Sequence, residues 1–193
     1  PEDVPLPVPP QPRLQLNHDN LRRLAGELQL DPAGRPVALM PGAAYGPAKC
    51  WPIEHFGALA ALLSDAGREV WILGSRGEAP VGEAIRVAGG PRVLNLCGRT
   101  RLEDSVDLLG AAEAAVTNDS GLMHVAAAAG TRVIAIYGSS SPTFTPPLTA
   151  QKHVHYLGLP CSPCFERDCP LGHQNCLRDI RPKDVLTSAL AAG

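Results

Sequence analysis

Short apolar runs alternate with amphipathic stretches along most of the chain. The runs are rich in valine, leucine and isoleucine, which predicts buried strands at 37–41, 69–73, 92–96, 114–118, 132–138 and 153–157. Between the first two, apolar residues recur at helical spacing, namely Ile53, Phe56, Leu59, Ala60 and Leu63. Further helices are predicted at 21–28, 78–88, 102–109, 120–129 and 181–191.

This alternation predicts an α/β fold, a Rossmann-like, mostly parallel sheet with helices on both faces. In sheets of this kind, ligands bind outside the carboxyl ends of the strands. We therefore expect the chemistry in the loops that follow the strands, at 41–51, 74–78, 97–101, 117–121 and 138–148.

Two regions differ in composition. Residues 1–12 are dense in proline, which favours extended polyproline conformation. With the helix predicted after them, residues 1–36 are interpreted as a Pro-rich linker and connecting helix, and residues 37–193 as the folded domain. The chain begins with Pro1 instead of methionine, which favours a processed chain or a piece of a longer one.

Composition narrows the class of protein. A chain of 193 residues, 45% of them hydrophobic, suits one globular domain. The net charge of −2 lacks the basic excess of a nucleic-acid-binding protein. The apolar runs are much shorter than a bilayer span, and no signal peptide is recognisable, so we expect neither a transmembrane helix nor export.

The loop after the first predicted strand has the sequence PGAAYGPAKCWP (41–52). Gly42, Ala43 and Ala44 let a ligand approach the backbone closely. Lys49 places a cation beside backbone N–H groups just before a helix, which suits a diphosphate. A tight turn with a solvated lysine explains the same residues equally well. The spacing is not that of a Walker A loop.

The segment TNDSGLMH (117–124) follows a strand and opens a helix. Asp119, Ser120 and Gly121 fall at the helix N-terminus, where free N–H groups and the helix dipole attract anions. His124 lies one turn further and can face the same ligand. The alternatives are that Asp119 or Ser120 only caps the helix and that His124 is a hydrogen-bonded core residue. The small residues that follow permit close helix packing, which favours a site.

Three other loops carry polar groups that give weaker evidence for a ligand site. Glu78 ends the loop GSRGE and can accept hydrogen bonds from a ribose diol, although a helix-start glutamate explains it equally well. Thr100 lies in a loop whose backbone can line a base pocket. The segment 138–148 is dense in serine, threonine and proline, so it either offers hydroxyls to a ligand or is an ordinary stiff connection.

Four cysteines crowd into residues 161–176 with the spacing C-x2-C-x4-C-x6-C, namely Cys161, Cys164, Cys169 and Cys176. Four thiolates in so short a segment suit one tetrahedral structural zinc, although the spacing matches no common zinc motif. Free thiols remain an alternative, and disulfides are disfavoured without an export signal. Because the segment lies beyond the last sheet loop, we expect no catalytic metal there.

The loops, in this order, resemble the ADP-heptose:lipopolysaccharide heptosyltransferases, with the closest likeness to the type II enzymes. The segments that carry the resemblance are PGAAYGPAKCWP, LGSRGE, NLCGRTRLED, VTNDSGLMHVAAAAG and YGSSSPTFTPP. The resemblance implies a GT-B glycosyltransferase of two Rossmann-like halves. This chain is similar to the C-terminal half, which binds the sugar nucleotide.

The resemblance also implies roles for individual residues. Lys49 would contact the diphosphate of ADP-heptose, and Glu78 would hold the ribose. Thr100 would lie near adenine, and Asp119 would bind the heptose hydroxyls. The remaining residues would lie around the phosphates through backbone groups or stand close by: Gly42, Ala43, Ala44, Ser120, Gly121, Leu122 and His124. Ala43 and Ala44 replace hydroxyl residues of some relatives, so only their backbone is expected to contact phosphate.

For the whole enzyme, the resemblance implies transfer of L-glycero-D-manno-heptose to the inner core of lipopolysaccharide. The N-terminal half would bind the lipid A–Kdo acceptor and supply the general base. No cofactor would be required for the chemistry. The expected location is the cytosolic face of the inner membrane, with peripheral membrane contact left open.

Three other functions are alternatives to heptose transfer. A nicotinamide-dependent oxidoreductase needs G-x-G-x-x-G after the first strand, and PGAAYG does not supply it. A non-catalytic nucleotide-binding module, held together by zinc at the cysteines, remains an alternative. So does a transferase of the same fold that uses another nucleotide sugar, such as a UDP-sugar.

Overall fold

The structure, a computed structural model, describes residues 11–191; most of the proline-rich stretch and the last two residues lie outside this range. Six strands form one parallel sheet in the order β3-β2-β1-β4-β5-β6. They are β1 (Val37–Met40), β2 (Val70–Ile72), β3 (Val93–Asn95), β4 (Ala114–Asn118), β5 (Arg132–Ile136) and β6 (Lys152–His155). The predicted fold class is confirmed.

The central strands are buried on both faces, which is why they are continuous apolar runs. Successive side chains of a strand point to opposite faces. In β1, Val37 and Leu39 belong to one hydrophobic cluster, and Ala38 and Met40 belong to the other. Each cluster is completed by a layer of helices.

Three helices cover each face of the sheet. The cluster that contains Val37 includes residues of α2 (Ile53–Asp65), α3 (Ala79–Gly89) and α7 (Pro182–Leu190). The cluster that contains Ala38 includes residues of α1 (His18–Leu28), α4 (Leu102–Ala111) and α5 (Gly121–Ala128). The helix α6 (Asn175–Arg178) is a single turn at the end of the cysteine-rich segment, and its four residues are too few to show a helical period in the sequence.

The first helix begins three residues before its predicted start. The side chain of Asn17 caps it by accepting hydrogen bonds from the backbone of Asp19 and Asn20. Leu24 of α1 is buried in the cluster of α4 and α5, and Asn20 donates to Asp107 of α4. The connecting helix therefore packs against the domain that follows it, while a domain boundary at residue 36 stays a prediction. None of the helices between residues 11 and 191 is long and apolar enough to span a bilayer.

The strand order reverses its direction between β1 and β4. The chain leaves β1 towards β2 and β3 on one side, and leaves β4 towards β5 and β6 on the other. The loops after these two strands therefore diverge and leave a crevice at their carboxyl ends. The structure thus brings residues 41–51 and 117–121, the two strongest sequence motifs, to opposite sides of one crevice.

Candidate functional site

A buried ion pair joins the two motifs across the crevice. Lys49 Nζ donates to Asp119 Oδ2 at 2.6 Å, although the residues are 70 positions apart in the sequence. The side chain of Asp119 is only 5% exposed and that of Lys49 is 18% exposed. Such a pair is poorly screened by solvent. The lysine also lies 5.2 Å from the centroid of the Tyr45 ring.

A buried asparagine holds the first loop in place. Asn118 ends β4, and its side chain donates to the Pro41 carbonyl at 2.6 Å and accepts from the Trp51 backbone N–H at 2.9 Å. Both ends of the loop that carries Lys49 are therefore tied to the residue beside Asp119. Trp51 is also anchored by its indole N–H, which donates to the Ile180 carbonyl at 3.0 Å. Sequence reasoning missed Asn118; its signal is an amide residue at the end of a strand that begins with an apolar run.

The helix α5 begins at Gly121, with Ser120 as its N-cap residue. The Ser120 side chain makes no capping hydrogen bond, and Asp119 is engaged with Lys49. Neither residue therefore acts as a simple side-chain cap. The partial positive charge of the helix N-terminus and the Lys49 ammonium lie on the two sides of the crevice, an arrangement that suits an anion.

A cavity of about 510 Å³ extends from this crevice towards β2 and β3. Its size is typical of small-molecule sites. We call it the larger cavity. Its lining includes eight residues that were predicted from the sequence: Gly42, Ala43, Ala44, Glu78, Thr100, Ser120, Gly121 and Leu122. Met40, Leu73 and Val125 add apolar wall, and Ser105 adds a hydroxyl.

Glu78 has a structural role at the start of a helical turn, which is the alternative that the sequence offered to a ribose contact. Its Oε2 accepts the backbone N–H of Ser75 at 2.5 Å and completes a capping box at the start of a 3-10 turn. Its Oε1 lies over Gly42, where a Cβ atom would overlap it. Gly42 is therefore needed because the carboxylate crosses its backbone on the way into the larger cavity.

A second cavity, of about 310 Å³, has the ion pair in its wall. We call it the smaller cavity. It is lined by Tyr45, Lys49, Asp119, Ser140, Ser141, Phe144, Thr145 and Phe165. The loop 138–148 forms one wall, and Tyr137 holds it by donating to the Thr145 carbonyl at 2.5 Å. Burial, followed by the nearby Asp119 charge, raises the pKa of Tyr137, so this hydroxyl stays protonated as a donor.

His124 is the predicted site residue that the structure does not bring to either cavity. It lies on α5 with an exposed side chain and is absent from both linings. A role in ligand binding for His124 stays a prediction.

The cysteine-rich segment folds back against the first loop. Ala48 N–H donates to the Arg167 carbonyl at 3.0 Å, and Tyr45 OH donates to the Phe165 carbonyl at 2.7 Å. A Cβ atom on Gly46 would lie 2.6 Å from the Arg167 oxygen, so the two backbones touch at Gly46. The segment follows the last strand in the sequence, yet it supports the backbone just before Lys49.

The four clustered cysteines share the lining of one small cavity with Ser139 and His173. All six cysteines of the chain are free thiols. Within residues 11–191, no three histidine, cysteine, aspartate or glutamate side chains are arranged to hold a metal ion. Structural zinc at Cys161, Cys164, Cys169 and Cys176 therefore stays a prediction, which metal analysis of the purified chain would test.

The cysteines differ in acidity, which predicts an order of labelling. Backbone N–H groups, foremost that of Gln174, lower the pKa of Cys169, whereas burial and then the Glu78 charge raise the pKa of Cys97 to about 11. Because the thiolate is the reactive form, we expect iodoacetamide at pH 7.5 to label Cys169 early and Cys97 only after unfolding. Peptide mass spectrometry measures both rates. Equal labelling of the two residues in the folded chain would contradict the assignment, and urea-unfolded chain is the control.

Residues 2–175 match the model of glycosyltransferase family 9 (heptosyltransferase). Lipopolysaccharide heptosyltransferase 2 of Escherichia coli strain K12 is 38% identical over 189 residues, which cover 96% of this chain and 54% of that protein. The solved structure of E. coli ADP-heptose lipopolysaccharide heptosyltransferase II superposes with a TM-score of 0.82 at 38% identity over 97% of this chain and 54% of the other.

A more distant likeness shows the fold alone. The dodecameric iron-containing heptosyltransferase TibC, solved in complex with ADP-D-β-D-heptose, is 18% identical, with a TM-score of 0.61 over 79% of this chain and 43% of its own. The chain spans about half the length of the curated relatives it matches. The family model, by contrast, covers most of the chain, and the chain belongs to glycosyltransferase family 9, the heptosyltransferases.

Proposed function

We propose that this chain is the donor-binding half of a transferase that moves L-glycero-D-manno-heptose from ADP-heptose to the inner core of lipopolysaccharide. The observation that carries the proposal is the Lys49–Asp119 pair, which lies where the strand order reverses, in the wall of the smaller cavity and next to the start of α5. Family membership and the 38% identity to heptosyltransferase 2 support the choice of sugar nucleotide over a nicotinamide cofactor.

In the proposed complex, the larger cavity holds adenosine, and the diphosphate lies between Lys49 and the N-terminus of α5. Glu78 Oε1 accepts from the ribose, and Thr100 lies near adenine. Backbone groups of Gly42, Ala43 and Ala44 line the near side of the phosphates, and those of Ser120, Gly121 and Leu122 the far side. Asp119 accepts from hydroxyls of the sugar.

The proposed reaction is an inverting transfer. The acceptor oxygen forms a bond to the anomeric carbon as the bond from that carbon to the diphosphate oxygen breaks. The acceptor proton passes to a general base on the other half of the enzyme. Negative charge grows on the leaving ADP, where Lys49 and the α5 dipole are fixed in advance to stabilise it. The chemistry as proposed requires no cofactor.

The proposed acceptor is the lipid A–Kdo core, bound by an N-terminal half at the cytosolic face of the inner membrane. The second half is inferred from the length of the relatives, of which this chain covers about half, and the acceptor and location are inferred from the resemblance to the heptosyltransferases. We therefore expect the isolated chain to bind ADP-heptose but to transfer no heptose, because the base and the acceptor site are elsewhere. Mass spectrometry of an acceptor incubated with the chain and ADP-heptose measures this. If the amount of heptosylated acceptor exceeds that in a blank without protein, the proposal that the base and the acceptor site lie on another half is wrong.

Gly42→Ala tests the proposed ribose contact. The new methyl group would overlap Glu78 Oε1 and push the carboxylate out of its place in the larger cavity. We expect the Kd of ADP-heptose, measured by calorimetry, to rise roughly tenfold. A change of this size corresponds to about the free energy of one hydrogen bond to a charged group. Gly26→Ala is the matched control, because a Cβ at that position in α1 meets nothing within 4 Å. Unchanged affinity in Gly42→Ala would show that Glu78 serves only the capping box.

A further inference from the structure

The smaller cavity contains a polar group that the folded chain does not satisfy. Ser139 and Ser140 are consecutive, buried serines that are 1% and 5% exposed. Neither Oγ has a hydrogen-bond partner among the described residues. A buried hydroxyl without a partner is unfavourable, so each is a candidate for contact with a bound molecule. Ser139 lines the cysteine cavity, whereas Ser140 lines the smaller cavity beside Lys49 and Asp119.

Two aromatic rings form an apolar part of the wall of the smaller cavity. Phe144 and Phe165 line the smaller cavity with their ring centroids 5.7 Å apart, and Phe144 is 74% exposed. An exposed aromatic ring beside a carboxylate and hydroxyls is a combination suited to a sugar. The ring packs against the C–H face of the sugar, while the polar groups bind its hydroxyls.

Residues that are neighbours in the sequence line the two cavities, so the cavities are close together. Ala43 and Ala44 line the larger cavity and Tyr45 lines the smaller, while Ser120 lines the larger and Asp119 the smaller. A ligand that lies across both therefore passes the ion pair, where the diphosphate is placed. The part beyond the diphosphate enters the smaller cavity.

We propose that the smaller cavity binds the sugar of the donor and that the Ser140 hydroxyl and the Phe144 ring determine specificity for it. This inference rests on the proposed function, since it assigns the sugar end of the same nucleotide sugar. It adds two residues from the loop 138–148 to the site. The hydroxyl of Ser140 gains its missing partner from the sugar when the donor binds.

Calorimetric titration of the chain with ADP-heptose and with ADP tests the proposal. We expect Ser140→Ala to weaken ADP-heptose binding about tenfold and to leave ADP binding unchanged, since one hydrogen bond to the sugar is lost. Ser139→Ala is the matched control, because its hydroxyl is equally buried and unpaired but faces the other cavity. It is expected to change neither affinity. Equal losses in both variants, or none in Ser140→Ala, would overturn the role of Ser140.

Phe144→Ala provides a second variant at an exposed position, where folding is not at stake. We expect a roughly fivefold loss for ADP-heptose and none for ADP. If the wild-type chain binds ADP and ADP-heptose with equal affinity, the proposed sugar site is wrong, while the proposed nucleotide site is still supported. If it binds neither ligand, the proposed function fails together with the inference.

Discussion

Replacing Lys49 by methionine is expected to weaken ADP-heptose binding about a hundredfold, which is the largest effect on binding that the structure predicts. Methionine keeps much of the length of the side chain but removes the ammonium group that lies 2.6 Å from Asp119. Two losses then combine. The diphosphate loses a charge-assisted hydrogen bond, and the buried Asp119 carboxylate is left unpaired beside a second anion.

The second loss is separable from the first. In the double variant Lys49→Met with Asp119→Asn, the uncompensated charge is gone, so affinity for ADP is expected to recover in part. Lys183→Met is the control for loss of one positive charge, since Lys183 lies on α7 and lines neither cavity. Calorimetry with ADP and ADP-heptose measures all three variants. Binding by Lys49→Met within a factor of two of wild type would remove the lysine from the diphosphate site.

Asn118→Ala is expected to destabilise the chain by about 3 kcal/mol and to weaken donor binding at least tenfold. The substitution leaves the buried Trp51 N–H and Pro41 carbonyl without their partner. Both groups belong to the loop that carries Lys49, so the loop loosens at the two places where it is tied to β4. Urea unfolding measures the stability, and titration with ADP-heptose in buffer measures the binding.

Thr131→Val separates the two effects of Asn118. The Thr131 hydroxyl is buried and donates to the Leu109 carbonyl at 2.6 Å, at the opposite end of the sheet from the crevice. Its loss is expected to cost about 1–2 kcal/mol of stability without a change in donor affinity. If Asn118→Ala lowers stability but binds ADP-heptose as Thr131→Val does, Asn118 is a structural residue and does not position the loop.

Strands and helices were predictable because their apolar periods differ and because the parallel strands are buried on both faces. The start of a helix directly after β4 was also predictable, since small and polar residues follow the strand there, and the ligand site proposed at this position stays a prediction. The strand order was not, because alternation alone does not say that β1 lies beside β4. The Lys49–Asp119 pair depends on that neighbour relation, and so it was not visible as a pair.

Other parts of the site depend on tertiary contacts that leave no local pattern. The sequence predicts Glu78 as either a ribose ligand or a helix-start residue. Its Oε2 completes the capping box and its Oε1 lies over Gly42, while the ribose contact stays a prediction. The cysteine-rich segment was expected to lie apart from the sheet loops, yet its backbone bonds to Ala48 beside Lys49. Ser140 was part of a loop noted only for its hydroxyls, and its burial beside the ion pair singles it out.

We propose that this chain holds ADP-heptose with adenosine, diphosphate and sugar on successive parts of the crevice. Calorimetric titration of the wild-type chain and of Asp119→Ala with ADP-heptose, ADP, UDP and NAD tests it most directly. We expect the wild-type chain to bind ADP-heptose most tightly and Asp119→Ala to lose the difference in affinity between ADP-heptose and ADP. Equal or tighter binding of UDP or NAD, or an undiminished preference for ADP-heptose in Asp119→Ala, would contradict it.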